Sequence, residues 1–203
     1  MNLHMFLRRI MSGLISNSTG RRIIKGRCKL NYPMPYVMSD ELEIIEKIIE
    51  ALKPKKCLEW GAGGSTLYFP RKYNFITLWL SIEHDRKWFA RLKSRITSNV
   101  KLVLAENVEE YVLYPMKESN FDLIFIDGRW RILCMLVAPK MLSKNGICLL
   151  HDSSRPQYHF GFRFFANNLK LTDGFGDSNG LHMFWNEQLP IKLAELLQTN
   201  KKL

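Results

Sequence analysis

Short apolar segments alternate with helical patterns along most of this sequence, and that alternation constrains the fold more than any other feature. Five segments predict buried strands, and each has an acid near its end: KKCLEW (55–60), FITLWLSIEHD (75–85), VKLVLAE (100–106), FDLIFIDG (121–128) and GICLLHD (146–152). Strands that are apolar on both faces and separated by helices indicate a parallel sheet covered on both sides. The segment LKLTDGFGDSNGLHMFWN (169–186) predicts two more strands around a polar turn. We therefore predict an α/β domain.

Five further segments predict the helices of this domain. The first, residues 39–52, has apolar residues at helical spacing, Ser39 as its candidate N-cap and Pro54 just after its end. The others are GGSTLYFPRKY, DRKWFARLKSRI, WRILCMLVAPKML as far as Pro139, and YHFGFRFFANNL.

Positive charge is concentrated at the start of the chain. The net charge is +11, and residues 1–39 contain seven Lys or Arg and no Asp or Glu, so they carry +7 of it. We therefore divide the chain into a basic arm (1–38) and a folded domain (39–203). Apolar residues in MNLHMFLRRIMSGLI can line one face of a helix. The sequence leaves several roles open for such a helix: packing on the domain, covering a substrate, binding an anionic membrane surface or a protein partner, or targeting.

The cysteines and the hydropathy pattern bear on the compartment. Cys28, Cys57, Cys134 and Cys148 have no C-x-x-C spacing, and three of them lie in apolar runs, which predicts reduced thiols in a reducing compartment. No apolar run approaches the roughly 20 residues that span a bilayer. We expect a cytoplasmic protein, with the arm as a potential contact to a membrane surface.

The acids at the strand ends are the candidate ligand-binding groups. They are Glu59, Glu83, Glu106, Asp127 and Asp152. In open α/β sheets, ligands bind outside the carboxyl ends of the strands. Five acids at five consecutive strand ends therefore predict a site along that edge.

The turn after the first strand indicates which ligand fits. Gly61 and Gly63 allow a tight turn and a close approach, and Ser65 and Thr66 can cap the next helix. Thr66 replaces the last glycine of G-x-G-x-x-G, and no P-loop lysine follows. Glu59 disfavours a phosphate and suits an amine, and Glu83 suits a ribose diol. A ligand with an amine, a ribose and no phosphate is S-adenosylmethionine (SAM).

These motifs resemble class I SAM-dependent methyltransferases over residues 36–186. EWGAGGST resembles the first motif of the family, SIEHD its ribose-binding strand end, and FDLIFIDGR and GICLLHD its fourth and fifth strands. The resemblance implies a Rossmann-like three-layer sandwich whose seven-stranded, mostly parallel sheet ends in an antiparallel hairpin. It also implies that Glu83 binds the ribose and that Glu106 and Asn107 flank the adenine. The full candidate cofactor set is Glu59, Gly61, Gly63, Ser65, Thr66, Glu83, His84, Glu106, Asn107 and Asp127.

IDGRWR and LLHDSSRPQY resemble a branch of the family that acts on sugars and glycans, including plant glucuronoxylan O-methyltransferases. The resemblance implies methyl transfer to a sugar hydroxyl. An alcohol needs a general base or a metal. The candidate catalytic residues are Asp127, Asp152, His151 and Arg129. The candidate acceptor-binding residues are Tyr36, Arg129, Arg155 and Tyr158.

Metal dependence and three alternative functions remain open from the sequence. Catechol-type O-methyltransferases hold a divalent cation through acids that match Asp127 and Asp152, so Mg or Mn is a candidate, but Ser153 stands where those enzymes have Asn. Such small-molecule methylation is one alternative. RNA 2′-O-methylation is another, although the end of the fourth strand has Arg129 and no Lys. A SAM-fold module without catalysis is the third. The Asp/Asn-Pro-Pro-Tyr/Phe signature of base methylation is absent, so we expect no specific nucleic-acid partner. An oligomer is compatible with the sequence.

Overall fold

The computed structural model describes residues 34–173 and 180–199 of the 203-residue chain. The described residues belong to one compact unit. The predicted arm before residue 34, Cys28 and most of the predicted hairpin turn lie outside the described residues. Within the described residues, Cys57, Cys134 and Cys148 are free and buried, as predicted. None of the helices described is long and apolar enough to cross a membrane.

Strands and helices alternate through the domain. The strands are β1 (Lys56–Trp60), β2 (Leu78–Glu83), β3 (Val100–Leu104), β4 (Phe121–Ile126), β5 (Leu142–His151), β6 (Asn167–Thr172) and β7 (Leu181–Trp185). The α-helices are α1 (Ser39–Leu52), α2 (Gly64–Lys72), α3 (Arg86–Lys93), α4 (Val108–Leu113), α5 (Arg131–Val137) and α6 (Ile191–Thr199). Short 3₁₀ helices cover Tyr114–Lys117, Ala138–Lys140 and Pro156–Phe164.

The seven strands form one sheet in the order β3-β2-β1-β4-β5-β7-β6. The first five strands are parallel, and β7 runs antiparallel between β5 and β6. The predicted mostly parallel sheet with a terminal antiparallel pair is therefore confirmed. Because the chain order reverses between β1 and β4, the carboxyl ends of these two strands form the edge where such sheets bind ligands.

Apolar side chains bury both faces of the sheet. The larger core cluster includes Ile48 of α1, Phe69 of α2, Trp79 of β2 and Leu193 of α6. A smaller cluster joins Ala62, Leu67 and Leu92. Removing this apolar surface from water supplies the main driving force for folding, at about 25 cal/mol per Å². A close-packed core of this kind holds the strand ends in fixed positions.

Two local predictions differ from the structure. The predicted helix in YHFGFRFFANNL is a 3₁₀ helix that ends at Phe164, and β6 begins at Asn167. Phe162 and Phe165 there pack on the ring of Phe184, so contacts across the fold override the helical pattern. Ser39 is the first residue of α1 and not its cap, which is Met38.

Candidate active site

Backbone hydrogen bonds fix the carboxyl ends of the central strands to one another. The N–H of Gly61 donates to the carbonyl of Ile82 at 3.0 Å, which ties the glycine turn to the end of β2. The N–H of Asp127 donates to the carbonyl of Trp60 at 3.0 Å, which ties the end of β4 to β1. The acids at these strand ends therefore have rigid backbones.

The three glycines of the turn have different surroundings. Gly61 has φ +99°, and a Cβ there would lie 2.5 Å from Cα of Gly128, so the turn packs backbone to backbone against the end of β4. A Cβ on Gly64 would lie 1.8 Å from the carbonyl oxygen of Met34. A Cβ on Gly63 would meet no atom within 4 Å. Gly63 therefore faces open space.

Glu59 lies inside the protein and does not face a ligand. Its side chain is fully buried and accepts hydrogen bonds from Ser65 Oγ, from Thr66 Oγ1 at 2.5 Å, from Ser81 Oγ and from Trp79 Nε1 at 2.9 Å. Burial raises its pKa, and these donors oppose that rise. The polar side-chain atoms of Glu59, Ser65 and Thr66 bond to one another, and the predicted part of these residues in cofactor binding stays a prediction.

Thr66 connects this buried cluster to the glycine turn. Its hydroxyl oxygen also accepts the N–H of Gly63 at 2.8 Å. The carboxylate of Glu59 therefore holds Thr66, and Thr66 holds the turn in place. These residues fix the backbone of the glycine turn.

Glu83 ends β2 beside the glycine turn, as predicted. Its Oε1 accepts the N–H groups of His84 and Asp85, both at 2.7 Å, and lies 2.9 Å from Nδ1 of His84. Within the described residues these bonds use one carboxylate oxygen, which leaves Oε2 as the acceptor for a ligand. The side chain is only 4% exposed. His84 in turn accepts a hydrogen bond at 2.8 Å from Nε of the exposed Arg129, so the His84–Arg129 pair lies beside Glu83.

Glu106 and Asn107 follow β3 on the surface. Glu106 pairs with Arg86, whose Nε lies 3.1 Å from its Oε1. Asn107 is the N-cap of α4, and its carboxamide oxygen accepts the N–H of Glu110 at 2.9 Å. Both residues are exposed, and the predicted contact with an adenine stays a prediction.

Asp127, His151 and Glu41 form a row of charged groups behind the ends of β4 and β5. Nδ1 of His151 lies 2.9 Å from Oδ1 of Asp127, and its Nε2 lies 3.3 Å from Oε2 of Glu41. Burial disfavours a charged ring, but the carboxylates of Asp127 and Glu41 outweigh it and raise the pKa of His151 to about 10. Burial likewise opposes the charge on Asp127, yet His151 and Arg131 lower the pKa of that carboxyl. At neutral pH, Asp127 is therefore a carboxylate and His151 an imidazolium.

Arg131 completes the cluster from the start of α5. Its Nη2 lies 3.1 Å from Oδ1 of Asp127, and its Nη1 lies 3.3 Å from Oδ2 of Asp152. It also donates to the carbonyl oxygens of Gly128 at 2.9 Å, of Asp127 at 3.0 Å and of His151. The side chain is 8% exposed. A fully charged guanidinium thus joins the two acids that the sequence places at the centre of the site.

Asp152, Arg155 and Tyr158 continue the cluster toward the surface. Nη2 of Arg155 lies 2.9 Å from Oδ2 of Asp152, and the ring of Tyr158 lies 5.2 Å from the guanidinium of Arg131. Asp152 has φ +57°, which a non-glycine residue seldom adopts, so this acid is held in a strained turn. The predicted convergence of Asp127 and Asp152 is present, with Arg131 between them.

The segment before α1 lies against both parts of the site. Its Met34 contacts the glycine turn at Gly64, and Tyr36, two residues later, is 64% exposed. Glu41 on the first turn of α1 is buried against His151 and accepts the N–H of Met38 at 3.2 Å and the hydroxyl of Thr172 at 3.1 Å. Tyr36 is therefore an exposed ring close to the glycine turn.

Sequence reasoning missed Glu41 and Arg131. Glu41 occurs in a helix with several surface acids and is 110 residues away from His151, so the pattern alone does not distinguish it. Arg131 had a local signal, because it follows Asp127 by four residues, a spacing at which oppositely charged side chains pair on a helix.

No family model matches the sequence. Nor does any curated protein match it. Among solved structures, it is similar to a putative caffeoyl-CoA O-methyltransferase from Staphylococcus aureus, at 14% identity and a TM-score of 0.57, with 90% of this chain and 91% of that chain covered. A methyltransferase-like protein from Silicibacter pomeroyi matches at 18% identity and a TM-score of 0.53, over 83% of this chain and 97% of that one.

Spermidine synthase from Thermotoga maritima matches at 20% identity and a TM-score of 0.51, over 72% of this chain. This chain spans only 58% of the length of that enzyme. Identities this low show the fold and not the activity. The fold is the Rossmann-like α/β fold that O-, N- and rRNA methyltransferases share.

Proposed function

We propose that this chain is a SAM-dependent O-methyltransferase that acts on a hydroxyl group of a sugar or glycan. The observation that carries the proposal is the open glycine turn at Gly63, which is bonded through Gly61 to the end of β2, where Glu83 stands. A ligand with a ribose and no phosphate suits this pair of features, because a buried carboxylate accepts hydrogen bonds from a diol and repels a phosphate.

SAM would supply an electrophilic methyl group on a sulfonium. Gly63 would let the ligand approach the backbone, and Oε2 of Glu83 would accept from the ribose hydroxyls. Asp127, which ends β4 next to the glycine turn, then lies on the acceptor side. Of the cluster formed by Glu41, Asp127, His151 and Asp152, Asp127 has the most exposed side chain, at 25% against 9% or less for the others.

Asp127 is the residue that would orient the acceptor. Its carboxylate would accept a hydrogen bond from the acceptor hydroxyl. As that oxygen gained the methyl group that bound SAM would supply, Asp127 would take up the hydroxyl proton and pass it to water. Because the pKa of Asp127 is lowered, the group is ionised at neutral pH and can accept the proton as the general base. We assign the base to Asp127 and not to His151, because the ring nitrogens of His151 already contact Asp127 and Glu41 and its raised pKa favours the protonated ring.

Two exposed groups would suit a sugar acceptor. Arg129 is exposed and can hydrogen-bond to sugar oxygens or to a uronate, and the exposed ring of Tyr36 can stack on the apolar face of a sugar. Arg155 and Tyr158 are partly committed to Asp152 and Arg131, so they would bind the acceptor with the atoms that remain exposed.

Calorimetric titration with SAM and with S-adenosylhomocysteine tests the cofactor assignment. Glu83→Gln keeps an acceptor for the N–H groups of His84 and Asp85 but removes the charge. We expect it to weaken binding about tenfold, equivalent to about 1.4 kcal/mol. Glu118→Gln, which removes an acid that pairs with Lys56 and Lys101 just before β4, is the matched control. Absence of binding by the wild-type chain would end the SAM assignment.

The transferred group and the acceptor are tested by mass spectrometry of products made from SAM and a panel of oligosaccharides. With the wild-type chain we expect a product that is heavier by one methyl group. Asp127→Asn should lower turnover 10²–10⁴-fold, about the contribution of a general base, and should still bind SAM. Methylation of catechols or RNA, with no sugar product, would assign the acceptor to another class. Binding of SAM without any product from the panel would favour a binding module.

A further inference from the structure

We propose that the guanidinium of Arg131 takes the place that a divalent cation would need between Asp127 and Asp152, so that this acid cluster works without a metal ion. The proposal goes beyond the transfer reaction, because it concerns the cation that balances these acids whichever group the chain transfers.

The spacing of the cluster by itself would suit a metal ion. One ligand atom each from Asp127, His151 and Asp152 lies within 4.8 Å of the other two. Carboxylate oxygens are ligands that Mg²⁺ and Mn²⁺ favour. A metal site here therefore requires that these atoms are free to coordinate an ion.

His151 has neither ring nitrogen available. Nδ1 lies 2.9 Å from Oδ1 of Asp127, and Nε2 lies 3.3 Å from Oε2 of Glu41. Coordination of a metal by either nitrogen would break one of these contacts and remove one charged partner from a buried carboxylate, which is costly. Ser153, at the position where a metal site of this kind would have an amide, is also engaged, because its Oγ lies 3.0 Å from Nδ1 of His182. The donor set does not fit a divalent cation.

Arg131 supplies the positive charge instead. It contacts the carboxylates of Asp127 and Asp152 at 3.1 Å and 3.3 Å, the same two groups that would ligate the ion. Its remaining N–H groups donate to the carbonyls of Gly128, Asp127 and His151, so the group is held in one position. A divalent ion between the same two acids would lie against this buried, permanently charged group.

Among the residues that the structure describes, the charges of the cluster are balanced without an ion. Its three carboxylates, Glu41, Asp127 and Asp152, contact three basic side chains, which are His151, Arg131 and Arg155. A bound divalent cation would leave an excess positive charge in a mostly buried cluster. Arg131 is thus a positioning residue that fixes both acids.

Titration with Mn²⁺, followed by the electron paramagnetic resonance signal of the free ion, tests this directly. We expect wild-type protein to leave Mn²⁺ free up to about 1 mM, a concentration that would detect even weak sites. Neither Mn²⁺ nor a chelator should change its thermal unfolding midpoint. Arg131→Ala should gain saturable Mn²⁺ binding, and Asp152→Asn in that background should remove it. Arg129→Ala, which removes an exposed arginine two residues away, should behave like wild type.

Saturable binding of Mn²⁺ by the wild-type chain that is lost in Asp152→Asn would overturn the proposal. A folded Arg131→Ala variant that binds no Mn²⁺ would overturn the assignment to Arg131. If Arg131→Ala does not fold, the wild-type titration still decides, together with Arg131→Lys, which keeps the charge and should bind no Mn²⁺. Failure of SAM to bind would refute the proposed function and leave these outcomes unchanged.

Discussion

Replacing His151 by asparagine should reduce the alkaline pH dependence of the stability of this domain. The ring is 7% exposed, and burial alone would favour its neutral form. The carboxylates of Asp127, Glu41 and Asp152 nevertheless raise its pKa to about 10. In the unfolded chain a histidine has a pKa of about 6.5. The folded state therefore binds a proton that the unfolded state releases above neutral pH.

The sign and the size of the effect follow from this difference. A raised pKa in the folded state contributes stability that is fully present below about pH 6.5 and is lost as the pH rises through about 10. Between about pH 7 and about pH 9, the contribution of His151 should fall by about 2 kcal/mol. Urea unfolding of the wild type and of His151→Asn at several pH values across this window gives the free energy of unfolding at each pH. The loss is the difference between the two proteins in the slope of that free energy against pH.

His182 provides the matched control, because it is also a buried histidine and has the opposite shift. Burial, with the nearby charge of Lys170, lowers its pKa to about 4. It contributes stability that is present above about pH 6.5 and is lost as the pH falls toward about 4. His182→Asn should therefore leave the alkaline slope unchanged and flatten the acidic one. Equal alkaline slopes in the wild type and His151→Asn would refute the claim that His151 is charged in the folded protein.

Two further perturbations test the glycine turn and its support. Glu59→Ala leaves buried hydroxyl and indole donors unpaired and should lower the free energy of unfolding by about 3 kcal/mol or more, whereas Glu118→Ala should cost about 1 kcal/mol or less in the same denaturation experiment. Gly64→Ala places its Cβ against Met34 and should lower the thermal midpoint, whereas Gly63→Ala, which meets open space, should leave it unchanged and weaken SAM binding. A similar midpoint for both glycine variants would contradict the described packing.

The sheet could be predicted from the sequence because the apolar pattern of its strands is strong and local. Each central strand is a mostly apolar run, and α1, α2, α3 and α5 have helical spacing, so the five parallel strands and the final pair form where expected. Helices α4 and α6 were not predicted. The segment before β6 was harder to predict. Its aromatic residues fit a helical pattern, but Phe162 and Phe165 pack across the fold on Phe184, and no local pattern encodes that contact.

The site was only partly predictable for a related reason. The sequence indicates which acids stand at the strand ends, but not which of them turn inward. Glu59 lies opposite Ser81 on β2, two residues before Glu83. Four side-chain donors enclose the carboxylate of Glu59, while within the described residues Glu83 keeps one oxygen unbonded. Which acid meets a ligand depends on donors such as Trp79, whose position is set by the sheet.

The two arginines after β4 also differ in whether their side chains are exposed or turn into the protein. Arg129 is next to the predicted catalytic acid in sequence, but it is exposed and bonds to His84. Arg131 is on the first turn of α5 and turns back under the strand ends to contact Asp127 and Asp152. Because Arg131 and His151 hold Asp127 from the protein side, its exposed surface is directed away from them. The buried charges thereby leave Asp127 as the acid of this cluster that an acceptor can most readily reach.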